Sequence, residues 1–391
     1  MERKEAVLRI KEILKRSEDT HNVYTPFELC DEMIGKLPKL NSDMKIMVMF
    51  NLEFLYVIRE KLGREGINNI WFMTPCDFKK RTAIAMGVNE NQVIKYEYNT
   101  KQIEDKDMPK FDVVVGNPPY QDSSKIARNS NLWEKILKIS FELLAQDGLL
   151  LFISPTTWMG PSITQKTEIK NIFINFNLLI LNLDCKKYFN VGSTFGYYLI
   201  KNNKIYNDTL VQLNNISFRA NIQLPFLPTD LNLISLSIIN KVFSKNEIRT
   251  CNFSTSMRCD ELHENGKYKV YYSNEFRLAN TLAKNTNIKK IVINKPGYIN
   301  PRFDNGEYGT TGMNYWMEIS ENESLFFNSY IQCILFKYIL NKSCKYSGYN
   351  SLGILTKIPF PILTHNWNDQ EIYNYFNLTQ EEINYIEFQV K

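Results

Sequence analysis

Ala6, Val7, Ile10, Ile13 and Leu14 recur at helical spacing among Lys, Arg and Glu, which predicts an amphipathic helix over 5–16. Thr25-Pro26 opens a second helix, Phe27 to Leu37, with Thr25 as its cap and Pro26 in the first helical position; Pro38 ends it. Short apolar runs then alternate with helical periodicity. Strands are predicted at 45–50, 70–73, 93–96, 111–115 and 149–153, and helices at 52–62, 78–86 and 132–144. Gly63, Gly87 and Gly148 fall where those helices stop. Continuous apolar strands between amphipathic helices indicate a parallel sheet covered on both faces. Leu178 to Leu183 and Tyr197 to Ile200 read as two further strands that finish it. After about residue 205 the rhythm breaks into Asn-, Ser- and Lys-rich sequence, followed by one convincing helix at 325–340. The expected division is 1–210, a doubly wound α/β domain, and 211–391, a smaller α+β domain.

Composition adjusts this picture only slightly. At 391 residues two domains are the natural expectation, and 44% apolar against 23% charged residues argues for ordinary cores. A net charge of +5 permits a polyanionic partner without requiring one. The charged start Met1-Glu2-Arg3-Lys4-Glu5 has no apolar stretch of signal-peptide type, and no run approaches a membrane span. Seven scattered cysteines without a CxxC fit a reducing, cytoplasmic setting. Cys251, Cys259 and His263 do not have finger spacing, so no metal is expected.

The chemistry concentrates after the strand Val113-Val114-Val115. Gly116 leads into Asn117-Pro118-Pro119-Tyr120. Two prolines remove backbone donors and fix φ, and each pushes its predecessor out of the helical region. The product is a stiff, extended loop with outward carbonyls, an amide at one end and an aromatic ring at the other. Those groups suit a flat substrate carrying an amino group. In an open α/β sheet, the carboxyl end of a strand is where ligands bind.

The order of these elements carries a resemblance. Thr25-Pro26 at a helix start, strands at 45–50 and 70–73, an acid at 97 and then Asn117-Pro118-Pro119-Tyr120 resemble the S-adenosylmethionine-dependent DNA adenine-N6 methyltransferases. The similarity is to the subgroup with cofactor motifs first and target recognition last, as in the methylase part of type IIG restriction–modification proteins. It covers residues 20–205. It implies a Rossmann-like catalytic domain, S-adenosyl-L-methionine as cofactor, and a C-terminal target-recognition domain. It also implies that the Asn117 side-chain and Pro118 main-chain carbonyls accept hydrogen bonds from the adenine amino group, with Pro119 shaping the loop and Tyr120 stacking on the base. Such a base must leave the duplex. Phe189, in Lys187-Tyr188-Phe189-Asn190, matches the family's second stacking aromatic, with Tyr188 as its neighbour and competitor.

For the cofactor the resemblance points to Thr25, Pro26, Asn51, Glu53, Asp77, Glu97 and Asn117. The sequence departs from the family here, because Met49-Phe50-Asn51-Leu52-Glu53-Phe54 lacks the usual glycines. Asn51 and Glu53 are candidates for the methionine amino group, or caps of the helix that follows. Asp77 is a displaced ribose ligand or a helix cap. Glu97 is an adenine contact or a solvated acid.

In the later half Lys284, Lys289, Lys290, Lys295, Arg302, Lys342, Lys345 and Lys357 interleave with Tyr298, Tyr308, Tyr315 and Trp316. Lys295, Arg302, Tyr308 and Tyr315 are the chosen DNA-binding candidates, and the glycine-rich segment 305–312 is expected to enter a groove. The expected partner is double-stranded DNA, alongside a separately encoded restriction endonuclease, with the chain a monomer and not itself a nuclease. Methylation of RNA adenine or of protein glutamine, or a silent DNA-binding relic, stands as the alternative.

Overall fold

The computed structural model describes residues 3–16, 24–63, 65–97, 102–103, 107–120, 132–161, 167–189, 194–224, 226–245, 252–343, 352–360 and 363–391. They belong to two compact units. One is Met1–Trp158 with Thr167–Gln223, the other Met159–Lys166 with Leu224–Lys391. Cys251, Lys345, Pro361 and Ile362 lie outside the described residues. No described helix is long and apolar enough to cross a membrane.

In the first unit α1 (Arg3–Arg16) and α2 (Phe27–Ile34) precede a regular alternation. It runs β1 (Ile46–Met49), α3 (Leu52–Leu62), β2 (Ile70–Thr74), α4 (Asp77–Ala85), β3 (Val93–Glu97) and β4 (Gln102–Ile103). It continues through β5 (Phe111–Gly116), α5 (Leu132–Glu142), β6 (Leu144–Pro155), α6 (Thr167–Asn175), β7 (Asn177–Asn182) and β8 (Phe195–Lys201). The hairpin β9 (Thr209–Leu213) and β10 (Ile216–Ala220) closes the unit, so the sheet continues past residue 210.

These strands form one mixed sheet in the order β10-β9-β7-β8-β6-β5-β1-β2-β3-β4. The central run from β3 to β6 is parallel, while β8 is antiparallel to both β6 and β7. This is a Rossmann-like, doubly wound α/β architecture. β1 is buried at all four positions because both faces are covered. Ile46 and Val48 join a core with α2 and α3. On β1, Met49 receives the Ser140 hydroxyl of α5 at 2.7 Å.

The chain moves outward from β1 to β2 and β3, then returns to β5 on the other side of β1. The crevice between β1 and β5 is therefore the topological switch point. The register pairs Met49 with Gly116. Phe50-Asn51 and Asn117 thus leave the sheet side by side. Gly116 is required by this closeness, since a Cβ there would lie 2.8 Å from the Met49 carbonyl oxygen.

The second unit holds α7 (Leu233–Phe243) and two three-stranded sheets. One contains β11 (Tyr268–Tyr272) and β12 (Glu275–Ala279); the other has β13 (Lys290–Asn294) and β14 (Arg302–Asp304). β15 (Gly309–Thr310) completes the first sheet and β16 (Asn314–Glu318) the second. The helix predicted at 325–340 is broken. α8 (Glu321–Gln332) ends at Cys333, whose ψ of 148° is extended, and α9 (Ile334–Tyr338) starts anew and runs into a π-helical turn. Asp369 supplies the reason, because its carboxylate accepts the Ile334 N–H at 2.6 Å and caps the second segment. α10 (Leu352–Leu355), α11 (Asp369–Tyr375) and α12 (Gln380–Val390) complete a largely helical core around Phe336 and Tyr338.

Candidate active site

Asn117 stands at the centre of a buried polar cluster. Its backbone N–H donates to Asn51 Oδ1 at 2.7 Å, and its side-chain Nδ2 donates to Thr25 Oγ1 at 3.2 Å. Asn51 Nδ2 also reaches Thr25 Oγ1, at 3.4 Å. The Thr25 N–H in turn donates to Glu53 Oε1 at 2.9 Å. Thr25, Asn51, Glu53 and Asn117 are all buried, so each of these bonds stands in for lost hydration. Residues separated by up to 92 positions are joined in one network.

Two helix-cap readings do not hold in this geometry. Pro26, not Thr25, occupies the cap position of α2, and the Thr25 hydroxyl faces the cluster instead. Asn51 is the cap residue of α3 by position, but its side chain makes no cap bond because its oxygen is committed to Asn117. The turn that aims Asn51 is left-handed at Phe50, with φ at 70° on a non-glycine residue. Lys79, which sequence reasoning missed, donates its ammonium to the Phe50 carbonyl at 3.1 Å and is itself buried. In Phe78-Lys79-Lys80-Arg81 nothing local distinguishes it from its solvated neighbours.

Burial pushes the Glu53 carboxyl up to about 7, against the opposing effects of the Thr25 N–H and the Lys79 ammonium. Near neutrality the carboxyl is poised between its two forms. Asp77 lies in the first turn of α4, exposed, with Cys76 in the cap position. Glu97 ends β3, exposed and paired with Lys95 at 3.2 Å. Neither belongs to the Asn117 cluster.

At the other end of the loop, Pro118 and Pro119 are buried and the Tyr120 hydroxyl donates to Asn117 Oδ1 at 2.8 Å. Burial holds the Tyr120 phenol well above its ordinary range, so it stays a protonated donor. The ring lies 6.0 Å from Phe195, which meets Phe189 edge-on at 4.9 Å. Tyr120, Phe195 and Phe189 thus form one aromatic strip. Tyr188 is held elsewhere, donating to Glu32 Oε2 at 3.1 Å, while Tyr197 donates to Oε1 at 2.8 Å. Phe195 was missed because a buried strand aromatic looks like core.

A family model matches residues 40–189: the Eco57I restriction-modification methylase. Residues 40–189 resemble that methylase family. The methylase-like segment contains β1, β5, the Asn117 loop and Phe189; Thr25 lies ahead of it. No curated protein sequence matches the chain. Among solved structures, the type I restriction enzyme EcoKI M protein shares 13% identity over 50% of this chain and 48% of its own, with a TM-score of 0.40. A type I methyltransferase subunit from Streptococcus thermophilus shares 16% over 52% of this chain and 51% of its own, also at 0.40. This chain therefore spans about half the length of those two proteins. DrdV, solved as a complex with DNA, shares 9% identity over 87% of this chain and 55% of its own, with a TM-score of 0.50, a likeness of fold.

Outside the methylase-like segment, the second unit places the four DNA-binding candidates differently from one another. Tyr315 is 4% exposed and packs in the core, so it offers no face to a ligand in this conformation. Arg302 is half-buried and bonds the carbonyls of Ser273 and Asn274 in the β11–β12 turn. Lys295 lies 5.7 Å from the Tyr315 ring centre. Tyr308 packs edge-on against Tyr271 and Phe276, with the Lys269 ammonium 5.3 Å from its ring centre. Lys290 is fully buried in an ion pair with Asp304 at 2.7 Å, and so is structural. Segment 305–312 is stitched down: Gly309-Thr310 pairs with β11, and the Thr311 N–H bonds the Tyr271 carbonyl.

Proposed function

We propose that the chain is an S-adenosylmethionine-dependent DNA methyltransferase of restriction–modification type. In this reading it modifies the N6 amino group of adenine after the base rotates out of the duplex. One observation carries the reading. The Asn117-Pro118-Pro119-Tyr120 loop leaves β5 at the switch point, with Asn117 fixed on Asn51 and Thr25 and Tyr120 continuing into an aromatic strip.

The cluster beneath the loop fits the amino-acid end of the cofactor. Glu53 is a buried carboxyl held by the backbone N–H groups of Thr25 and of Glu53 itself, and such a group suits an ammonium. Thr25, Asn51 and Glu53 would hold that end, with Asp77 and Glu97 at the ribose and adenine ends. When bound, the cofactor supplies an electrophilic methyl group on a sulfonium. Everything else falls to the protein.

Adenine's amino nitrogen is a poor nucleophile because its lone pair is delocalised into the ring. Asn117 Oδ1 and the Pro118 carbonyl each accept a hydrogen bond from one of its N–H groups, which returns electron density to nitrogen, and the one proton lost on methylation passes to water. Asn117 Oδ1 already receives the Tyr120 hydroxyl, and a carbonyl has a second lone pair for the base. The Tyr120 ring and Phe189 hold the flat faces of the purine. Positioning and fixed dipoles supply the rate enhancement, and the loop needs no strong general base. The fold likeness to DrdV, a protein solved with DNA, supports DNA as partner, and in this reading the second unit is the target-recognition domain.

The test is methyl transfer from labelled cofactor to duplex DNA, RNA and protein, with adenine methylation then mapped by sequencing. Label in DNA that vanishes in Asn117→Ala supports the reading. Label only in RNA or protein, or persistent methylation in the variant, would overturn it. Cofactor binding tested alongside separates an active enzyme from a silent DNA-binding relic.

A further inference from the structure

We propose that Lys79 is a positioning residue of the methyl-donor site: its buried ammonium holds the left-handed turn at Phe50 and supplies Glu53 with a counter-charge. This inference rests on the cofactor reading above and adds a residue to it. A lysine that is 1% exposed needs a reason, since an ammonium loses its hydration there. The geometry provides one. Lys79 lies on the face of α4 that also buries Ala83, one turn on, and its ammonium reaches the Phe50 carbonyl at 3.1 Å. Phe50 holds φ at 70°, a region that a glycine enters freely and a phenylalanine only under constraint. Its N–H is fixed on the Met73 carbonyl at 2.8 Å, and its ring packs edge-on against Tyr96 at 5.5 Å. Lys79 thus secures the carbonyl side of a turn whose amide side is secured by β2. The next residue is Asn51, which orients Asn117. A glycine-free segment, Met49 to Phe54, reaches the sharp turn by anchoring it on both sides.

The second role is electrostatic. Lys79 is the cation that favours the charged form of Glu53. Tyr24 and Cys30 also feel the Glu53 charge, and burial raises both their own ionisations, so near neutrality they remain uncharged. Lys79 therefore adds its charge to the backbone N–H groups of Thr25 and Glu53 in favouring the carboxylate, against the larger effect of burial.

Two variants separate the roles. Lys79→Gln keeps a donor for the Phe50 carbonyl but has no charge; Lys79→Met has neither. The Glu53 carboxyl is titrated by carbon-13 NMR in the ligand-free protein, with Glu53→Gln assigning the signal, and cofactor affinity is measured by calorimetry across the same pH range. In the wild type the midpoint is expected at about 7. Both variants should move it upward. Lys79→Met should also weaken cofactor binding on the alkaline plateau, on the order of ten- to a hundredfold for a lost charge-assisted hydrogen bond, with Lys79→Gln closer to wild type. Circular dichroism confirms that the variants are folded. An unmoved midpoint in folded variants overturns the electrostatic role, and an unchanged plateau in Lys79→Met overturns the turn-holding role. Should Lys79→Met not fold, Lys79→Gln still decides the first, and a Lys79→Gln plateau as weak as that of Glu53→Gln overturns the second. A wild type that titrates as expected but binds no cofactor at any pH would instead sink the methyl-donor reading, and with it the assignment of Lys79 to a donor site.

Discussion

Replacing Glu53 by glutamine tests the buried cluster without assuming any substrate. Burial lifts the carboxyl from an ordinary value of 4.5 to about 7. A folded-state value above the unfolded one means that the folded chain binds more protons between those two pH values. The stabilisation is complete below the unfolded value and is lost as pH rises through the folded one. Stability contributed by this residue therefore falls from pH 4.5 through about 7, the opposite of a salt-bridged carboxylate. The displacement corresponds to about 3 kcal/mol. Glutamine is uncharged at every pH and keeps an oxygen for the Thr25 N–H. Urea unfolding of both proteins at the two ends of the window supplies the measurement. Relative to wild type, Glu53→Gln should gain about 3 kcal/mol on going from the acidic to the alkaline end. The same difference between the proteins at both ends would refute the buried-carboxyl argument. Cofactor binding carries the reverse sign. An ammonium needs the carboxylate, so wild-type affinity should rise with pH through about 7 and binding should release a proton, read by calorimetry in buffers of different ionisation heat.

Other perturbations reach the remaining parts of the site. Gly116→Ala puts a Cβ 2.8 Å from the Met49 oxygen, so β5 must shift from β1; chemical denaturation should show a loss of about 1–3 kcal/mol. Thr25→Val removes the hydroxyl that receives both amides. Taking the buried hydroxyl acceptor from the Asn117 amide should cost about 1–3 kcal/mol in the same assay and lower methylation. Tyr120→Phe keeps the ring beside Phe195 and loses the bond to Asn117, whereas Tyr120→Ala loses both. Methyl-transfer rates should rank wild type, then Phe, then Ala, and equal rates would exclude stacking. Phe189→Ala should weaken capture of an extruded base, seen as a smaller fluorescence rise from 2-aminopurine at the target position.

Much of the first unit was legible because its signals are local. Apolar runs fix strands, 3.6-residue periodicity fixes helices, and the two prolines after Asn117 stiffen their own loop whatever surrounds it. Where two sites compete for one side chain, sequence cannot choose. Thr25 reads as a helix cap and is instead the receptor for two amides, while Asn51 reads as a cap and is committed to Asn117. Lys79 and Phe195 were invisible because a lysine reads as surface and a strand phenylalanine as core. In the second unit lysine and tyrosine spacing gave no guide to exposure, since Lys290 finds its partner Asp304 across a strand pair and Tyr315 turns inward.

By itself, then, the sequence determined an alternating α/β half with a stiff Asn-Pro-Pro-Tyr loop at a strand end, because backbone stereochemistry and periodic burial act over a few residues. Only the tertiary structure decided what lies beneath that loop. The parallel pairing of β1 with β5 sets Met49 opposite Gly116 and so brings Asn51 to Asn117, 66 residues apart in the chain. The burial that follows raises Glu53 and recruits Lys79, because a carboxyl's ionisation depends on lost water and on charges that only the fold brings near.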